Sequence, residues 1–180
     1  MTKNISSQFD VTGFGVIVTG GASGLGLAYG EVLAAHGARV TLIDLNPNAV
    51  AAQTSRLREE GLDARGAVAD VTDHAALDAV IDRYGRLDVA FANAGIDPGV
   101  GFLEASFGPE RTRVEAGALE RYTDERWNRV ININRNGIFA TARAAARHMR
   151  PRRCGRIILT TSIAATVVEP RSPRKTHVKI

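Results

Sequence analysis

A chain of 180 residues with 44% apolar and 23% charged side chains has enough material for one domain with a real core, and the composition of a soluble globular protein. No apolar run approaches the ~20 residues that span a bilayer, and the polar start MTKNISSQFDVTG lacks the apolar stretch of a secretory leader, so a cytoplasmic protein without a membrane partner is expected. The net charge of +4 sits at one end: residues 150–180 hold eight Lys and Arg against Glu169 alone, leaving 15 basic and 18 acidic residues before them, a basic tail rather than the spread basic face of a nucleic-acid binder.

Phe14–Thr19 (FGVIVT) is a short β-branched run that stops at glycines and reads as a buried strand. From Gly24 to about His36, Leu25, Ala28, Tyr29, Val32 and Leu33 recur at helical spacing, and Gly37 ends the helix. Arg39–Asp44 (RVTLID) is a second strand. Pro47 suits the first turn of a helix that runs to about Glu60 and stops at Gly61. Ala64–Ala69 is a third strand. Asp73 caps a helix through Tyr84, which Gly85 ends. Leu87–Ala92 (LDVAFA) is a fourth strand. The stretch from Gly95 to about Arg121, rich in Gly, Pro and charge, reads as a long irregular loop of the kind that often carries function. Thr123 to about Met149 carries one long helical pattern around Trp127, Val130, Ile131, Ile138 and Phe139, followed by Pro151. Arg156–Thr161 (RIILTT) is a fifth strand, and after Ser162 the pattern stops.

Strands that alternate with helices imply parallel strands joined by right-handed crossovers, and near-continuous apolar strands imply a sheet covered on both faces. The expected fold is α/β, a doubly wound Rossmann-type sheet with five strands in the order 3-2-1-4-5. The domain is expected over residues 1–168, with an irregular basic tail over 169–180. Cys154 has no second cysteine with which to form an internal disulfide. The four histidines (His36, His74, His148 and His177) have no metal-ligand spacing with a partner, and no metal is expected.

The first strand feeds directly into Thr19-Gly20-Gly21-Ala22-Ser23-Gly24-Leu25-Gly26 and then a helix. Glycines there permit a tight turn and let backbone approach a pyrophosphate, for which the helix N-terminus supplies free N–H groups and partial positive charge. Asp44, 18 residues beyond Gly26 at the end of the second strand, is placed to accept hydrogen bonds from ribose hydroxyls. Its charge would repel a 2′-phosphate, and Leu45 and Asn46 follow it instead of a cation. NAD is therefore expected over NADP.

The spacing TGxxxGxG, on Thr19, Gly20, Gly24 and Gly26, resembles the short-chain dehydrogenase/reductase family. Further motifs follow in order over about residues 9–170. Asp70-Val71 is similar to the family's adenine-contacting pair, and Asn93-Ala94-Gly95 to its NAG motif, which steadies the sheet and borders the cofactor. Asn134 in VININRNGIF resembles the asparagine of the family's proton relay, and Ser162 in GRIILTTSIAA its catalytic serine. The resemblance implies cofactor contacts at Thr19, Gly20, Ser23, Gly24, Leu25, Gly26, Asp44, Asp70, Val71, Asn93, Ala94 and Gly95. It also implies hydride transfer between a nicotinamide and a small secondary alcohol or ketone, with a tyrosine handling the proton, a serine holding the substrate oxygen and a lysine binding the ribose.

The family's YxxxK motif should begin near residues 174–176, where Arg174, Lys175 and Thr176 stand. Lys175 and Lys179 keep its spacing, which makes Lys179 the candidate motif lysine, with Lys175 in the tyrosine's place. Two lysines one helical turn apart repel, and an ammonium with a pKa of about 10.4 is a poor stand-in for a tuned phenol. A truncated or frame-shifted chain, diverging near Arg171–Ser172, is the expectation. The homo-oligomer that the family implies is correspondingly weakened, and the fifth strand is expected to be an exposed apolar edge. Three readings stay open: an NAD-dependent dehydrogenase, a non-catalytic nucleotide-binding module or inactive truncated fragment, and a basic-tailed interaction protein, which the confinement of the charge to the tail disfavours.

Overall fold

The computed structural model describes residues 10–83, 85–97 and 123–161. In chain order the elements are β1 (Gly15–Thr19), α1 (Gly24–Ala35), β2 (Arg39–Asp44), α2 (Pro47–Glu59), β3 (Ala64–Val68), α3 (His74–Asp82) and β4 (Val89–Ala92). They continue with α4 (Asp124–Ile131), a π-helical turn (Asn132–Gly137), α5 (Ile138–Met149) and β5 (Arg156–Leu159). The sheet order is β3-β2-β1-β4-β5 with every pairing parallel, as the alternation of strand and helix implied.

The apolar residues of the strands divide by parity, because successive side chains point to opposite faces. Val16, Val18, Val40 and Leu42 pack with Ala34 of α1 and Leu57 of α2. Ile17, Ile43 and Ala90 pack with Leu77 and Ile81 of α3 and with Ala140, Ala144, Ala145 and Met149 of α5. Two cores, one on each face, result. Each fully buried branched side chain contributes roughly 1.5–3 kcal/mol of transfer free energy. Small residues on α5 let that helix lie close to the sheet, and Arg147–Asp78 at 2.5 Å and His148–Asp82 at 2.9 Å tie it to α3.

The caps explain where the helices begin. Asn46 accepts from the N–H groups of Asn48 and Ala49 ahead of Pro47. Asp73 accepts from Ala76 at 3.0 Å, and Thr123 from Arg126 at 3.3 Å. Element ends differ from the sequence reading by one or two residues, as terminal turns and strand ends fray. The single helix expected over 123–149 is corrected: α4 and α5 are joined by the six-residue π turn. There the Thr141 hydroxyl donates to the Gly137 carbonyl at 2.8 Å, and Gly137 lies so near Val71 that a Cβ on it would come within 2.6 Å of Cγ2. The loop after Asp97 and the tail from Ser162 lie outside the described residues. Among those that are described, no helix is long and apolar enough to cross a membrane.

Candidate nucleotide cleft

Five parallel strands end on the same side, and the chain order reverses between β1 and β4. That is where an α/β sheet opens a crevice beyond its carboxyl ends. Here it is an open cleft of about 440 Å3. Ten of the twelve cofactor-contacting residues expected from the sequence line it: Gly20, Ser23, Gly24, Leu25, Asp44, Asp70, Val71, Asn93, Ala94 and Gly95.

Thr19 and Gly26 stand behind the lining and hold its shape. The buried Thr19 hydroxyl donates to the Phe91 carbonyl at 3.2 Å and accepts from the N–H groups of Asn93 and Ala94. Asn93 returns the contact, its amide donating to the Thr19 carbonyl at 3.1 Å. A Cβ on Gly26 would collide with the Gly20 carbonyl oxygen and with Nδ2 of Asn93, so only glycine lets α1 start this close to the loop. Gly20 itself sits at φ +63°, a left-handed conformation that an L side chain rarely adopts.

α1 begins without a side-chain cap. Ser23 is extended and its hydroxyl makes no capping bond, while its carbonyl accepts from Leu27 N–H. The first N–H groups of the helix therefore have no intrahelical acceptor, and space is open around Gly24. Uncapped donors at the positive end of a helix, reached across open space, suit an anionic oxygen.

Asp44 closes the other side. Its Oδ2 accepts from Ala22 N–H at 3.1 Å and its Oδ1 from Asn46 N–H at 3.2 Å. A carboxylate has about four acceptor sites, so two remain after these bonds have fixed its orientation. Asp70 uses Oδ1 alone, accepting from the N–H and hydroxyl of Thr72 at 2.8 and 2.7 Å. Val71, next in the chain, is buried. No lysine or arginine lines the cleft among the described residues, nor does any group of three or more of them offer metal-ligating side chains.

Asn134 projects from the π turn toward the end of β4. Its Oδ1 accepts from Ile96 N–H at 2.8 Å and its Nδ2 donates to the Ile96 carbonyl at 2.9 Å. The carboxamide clamps both backbone polar groups of one residue, with one donor and one acceptor site left over. Ser162 and Lys179 lie outside the described residues. Thr160, two positions before that serine, donates its hydroxyl to Asn93 Oδ1 at 2.9 Å and so ties the end of β5 to the cleft. Sequence reasoning missed Thr160, and also Ile43, Leu45, Ala69, Ile96 and Ile133, which complete the lining among the described residues. Position at a strand's carboxyl end was the available signal for Ile43, Leu45, Ala69 and Thr160; for Ile133 there was none.

The chain matches the family model for short chain dehydrogenase over residues 15–173. Gluconate 5-dehydrogenase of Gluconobacter oxydans is 32% identical to it over 169 residues, covering 90% of this chain and 58% of the relative. The crystal structure of a gluconate 5-dehydrogenase from Burkholderia cenocepacia, in complex with NADP and tartrate, superposes with a TM-score of 0.73 at 32% identity, over 90% of this chain and 58% of that one. NAD+-bound xylitol dehydrogenase superposes with a TM-score of 0.69 at 31% identity, over 86% and 55%. The chain thus spans somewhat more than half the length of these relatives.

Proposed function

The chain belongs to the short-chain dehydrogenase/reductase family, and we propose that it binds NAD in the cleft and takes part in hydride transfer between the nicotinamide and a secondary alcohol or ketone. The observation that carries this reading is the uncapped start of α1 facing an oriented Asp44 across a cleft without a cationic side chain among the described residues. The backbone N–H groups at Gly24, Leu25 and Gly26 take the pyrophosphate. Asp44 accepts from the adenosine ribose hydroxyls with its two unused sites. Asp70, with Oδ2 uncommitted, accepts from the adenine amino group, and Val71 and Leu45 flank the ring. NAD, when bound, supplies the hydride acceptor.

On this reading the remaining roles fall to further residues of this chain. Asn93-Ala94-Gly95 and the clamped Ile96 shape the nicotinamide end. Ser162, two residues beyond Thr160, hydrogen-bonds the substrate oxygen. Asn134 fixes the Ile96 peptide and offers its spare donor and acceptor to a proton-relay water, and Lys179 binds ribose. Preference for NAD follows from charge: a 2′-phosphate beside Asp44 would be repelled, and no described arginine or lysine of the lining would offset it. The NADP in the Burkholderia relative is a property of that protein.

A specific observation favours the second reading, a nucleotide-binding module without turnover. Tyr29 stacks on Phe91 with ring centroids 5.0 Å apart, and no tyrosine lines the cleft among the described residues. Fluorescence titration of the 180-residue chain with NADH and NADPH tests the shared premise. NADH is expected to saturate at a Kd at least tenfold below that of NADPH, and Asp44→Ala to weaken NADH and shrink the difference. The reverse preference would sink the NAD assignment, and absence of saturable binding by either would sink both readings. Assay on a panel of secondary alcohols and ketones then separates the two: turnover removes the module reading, and binding without turnover selects it.

A further inference from the structure

Beyond the end of β5, the Thr160 N–H still donates to the Ala92 carbonyl at 3.1 Å. That bond brings the Thr160 side chain alongside Asn93 at the wall of the cleft. The Thr160 hydroxyl donates to Asn93 Oδ1 at 2.9 Å, and Nδ2 of the same carboxamide donates to the carbonyls of Thr19 and Gly20 at 3.1 and 3.4 Å.

The chemistry of the groups fixes each direction. A carbonyl oxygen only accepts, so the edge of the carboxamide that faces Thr19 and Gly20 must carry Nδ2. The reversed amide would set Oδ1 against two carbonyl oxygens. Oδ1 therefore faces Thr160, and a hydroxyl satisfies it only as a donor. Among the described residues, Thr160 is the partner that Oδ1 has. A directed line of hydrogen bonds thus runs from the end of β5, through Asn93 after β4, to the glycine loop after β1.

The far end of that line is closely fitted. A Cβ on Gly26 would stand 2.6 Å from Asn93 Nδ2, and one on Gly20 3.3 Å from it. The carboxamide fills the space that these two glycines leave, with Gly20 in its left-handed conformation at φ +63°. Thr19 is fastened a second time, by its own hydroxyl to Phe91, Asn93 and Ala94. A swing of the Asn93 amide would therefore be felt first at the Gly20 carbonyl, where the loop turns toward the start of α1. Shape alone does not call for a hydroxyl at position 160, since valine is equally β-branched and at home in a strand.

We propose that Thr160 is a positioning residue for the cofactor: its hydroxyl orients the Asn93 carboxamide, which holds the carbonyls of Thr19 and Gly20 and so keeps the glycine loop in the shape that receives the pyrophosphate. This rests on the reading of the cleft as the nucleotide site. It makes the end of β5, two residues before Ser162, part of the cofactor's support, so that a shift there reaches the phosphate loop through two side chains.

The test compares Thr160→Val with Thr160→Ser in the isotope-labelled 180-residue chain. The side-chain amide resonances of Asn93 report the line without any cofactor. Thr160→Val is expected to shift them, to speed their proton exchange and to move the backbone amides of Gly20 and Gly21, whereas Thr160→Ser leaves all of these near the parent positions. In fluorescence titrations Thr160→Val is expected to weaken NADH roughly three- to tenfold, the range that one net hydrogen bond spans, with Thr160→Ser within about twofold of the parent. If Thr160→Val does not fold, Thr160→Ala removes the hydroxyl without adding bulk and carries the same expectations. Asn93 resonances or an NADH affinity unchanged by loss of the hydroxyl would overturn the proposal. So would an equal loss in Thr160→Ser, which would assign the effect to packing of the methyl group. A parent chain that binds no NADH would sink the nucleotide reading instead, and the Asn93 resonances would still decide whether Thr160 orients the carboxamide.

Discussion

Asp88 ties the amino-terminal ends of β1, β4 and β5 together, its backbone bonding Gly15 and Arg156 and its carboxylate Gly15, Arg86 and Arg152. It is 3% exposed, and it accepts from Gly15 N–H at 2.9 Å, from Arg86 Nε at 2.9–3.0 Å and from Arg152 Nη2 at 2.6 Å. Burial pushes its carboxyl upward, but the Gly15 N–H and the two guanidinium groups outweigh that and hold it below its ordinary value of 3.8. A carboxyl depressed by folding contributes stability that is fully present above the unfolded value and is lost as pH falls through the folded one. Asp88→Ala should cost about 2–4 kcal/mol near neutral pH, because a buried N–H and a charge pair lose their acceptor; the partly exposed arginines recover water and keep the figure from rising further. Urea midpoints of wild type and variant should converge below pH 3.8. A constant gap from pH 7 to pH 3 would show that the carboxylate charge is not what matters. Nothing in LDVAFA announces this role: an acid next to a strand looks like any surface residue until Arg152, 64 positions later, is folded over it. Asp44, by contrast, was legible, because its partners are the local glycine loop and its place at a strand end is set by spacing.

Among the elements, local chemistry made the strands and most of the helices readable. β-branched runs bounded by glycine marked β1, β2 and β4, and Pro47 and Asp73 marked helix starts that the structure confirms, with Asn46 supplying a cap that went unread. The π turn was not readable, since VININRNGIF is compatible with an unbroken α-helix and the wider turn depends on contacts from elsewhere. Widened turns of this kind recur at functional sites, and this one delivers Asn134 to Ile96. Asn134→Ala removes two hydrogen bonds that together are worth roughly 1–3 kcal/mol. The expected readout is local: faster amide exchange at Ile96 and its neighbours, with exchange in α1 and α2 unchanged. NADH affinity should fall modestly if the Ile96 peptide borders the cofactor. Unchanged exchange at Ile96 would mean that the loop is held by something other than the carboxamide.

For the whole molecule, the alternation of strands and helices determined class and strand order, because parallel strands with right-handed crossovers leave few alternatives. Among the described strands, β3 and β5 are the two edges of the sheet. β3 carries Arg65 and alternates with small residues, a charged edge that discourages pairing. β5 is different: Ile157, Ile158 and Leu159 are 37%, 40% and 48% exposed, and its backbone pairs with β4 alone among the described strands. Phe139 on α5 adds a further exposed ring beneath Arg143. An apolar edge with free N–H and C=O groups is a template for another chain. The 180-residue chain should therefore self-associate with rising concentration, seen by sedimentation velocity as a shift away from the monomer. Ile158→Lys places a charge on that edge and should restore the monomer while leaving NADH binding within about twofold, since Ile158 does not line the cleft. If Ile158→Lys associates as the parent does, β5 is not the contact, and the exposed face of α5 around Phe139 becomes the surface to mutate next.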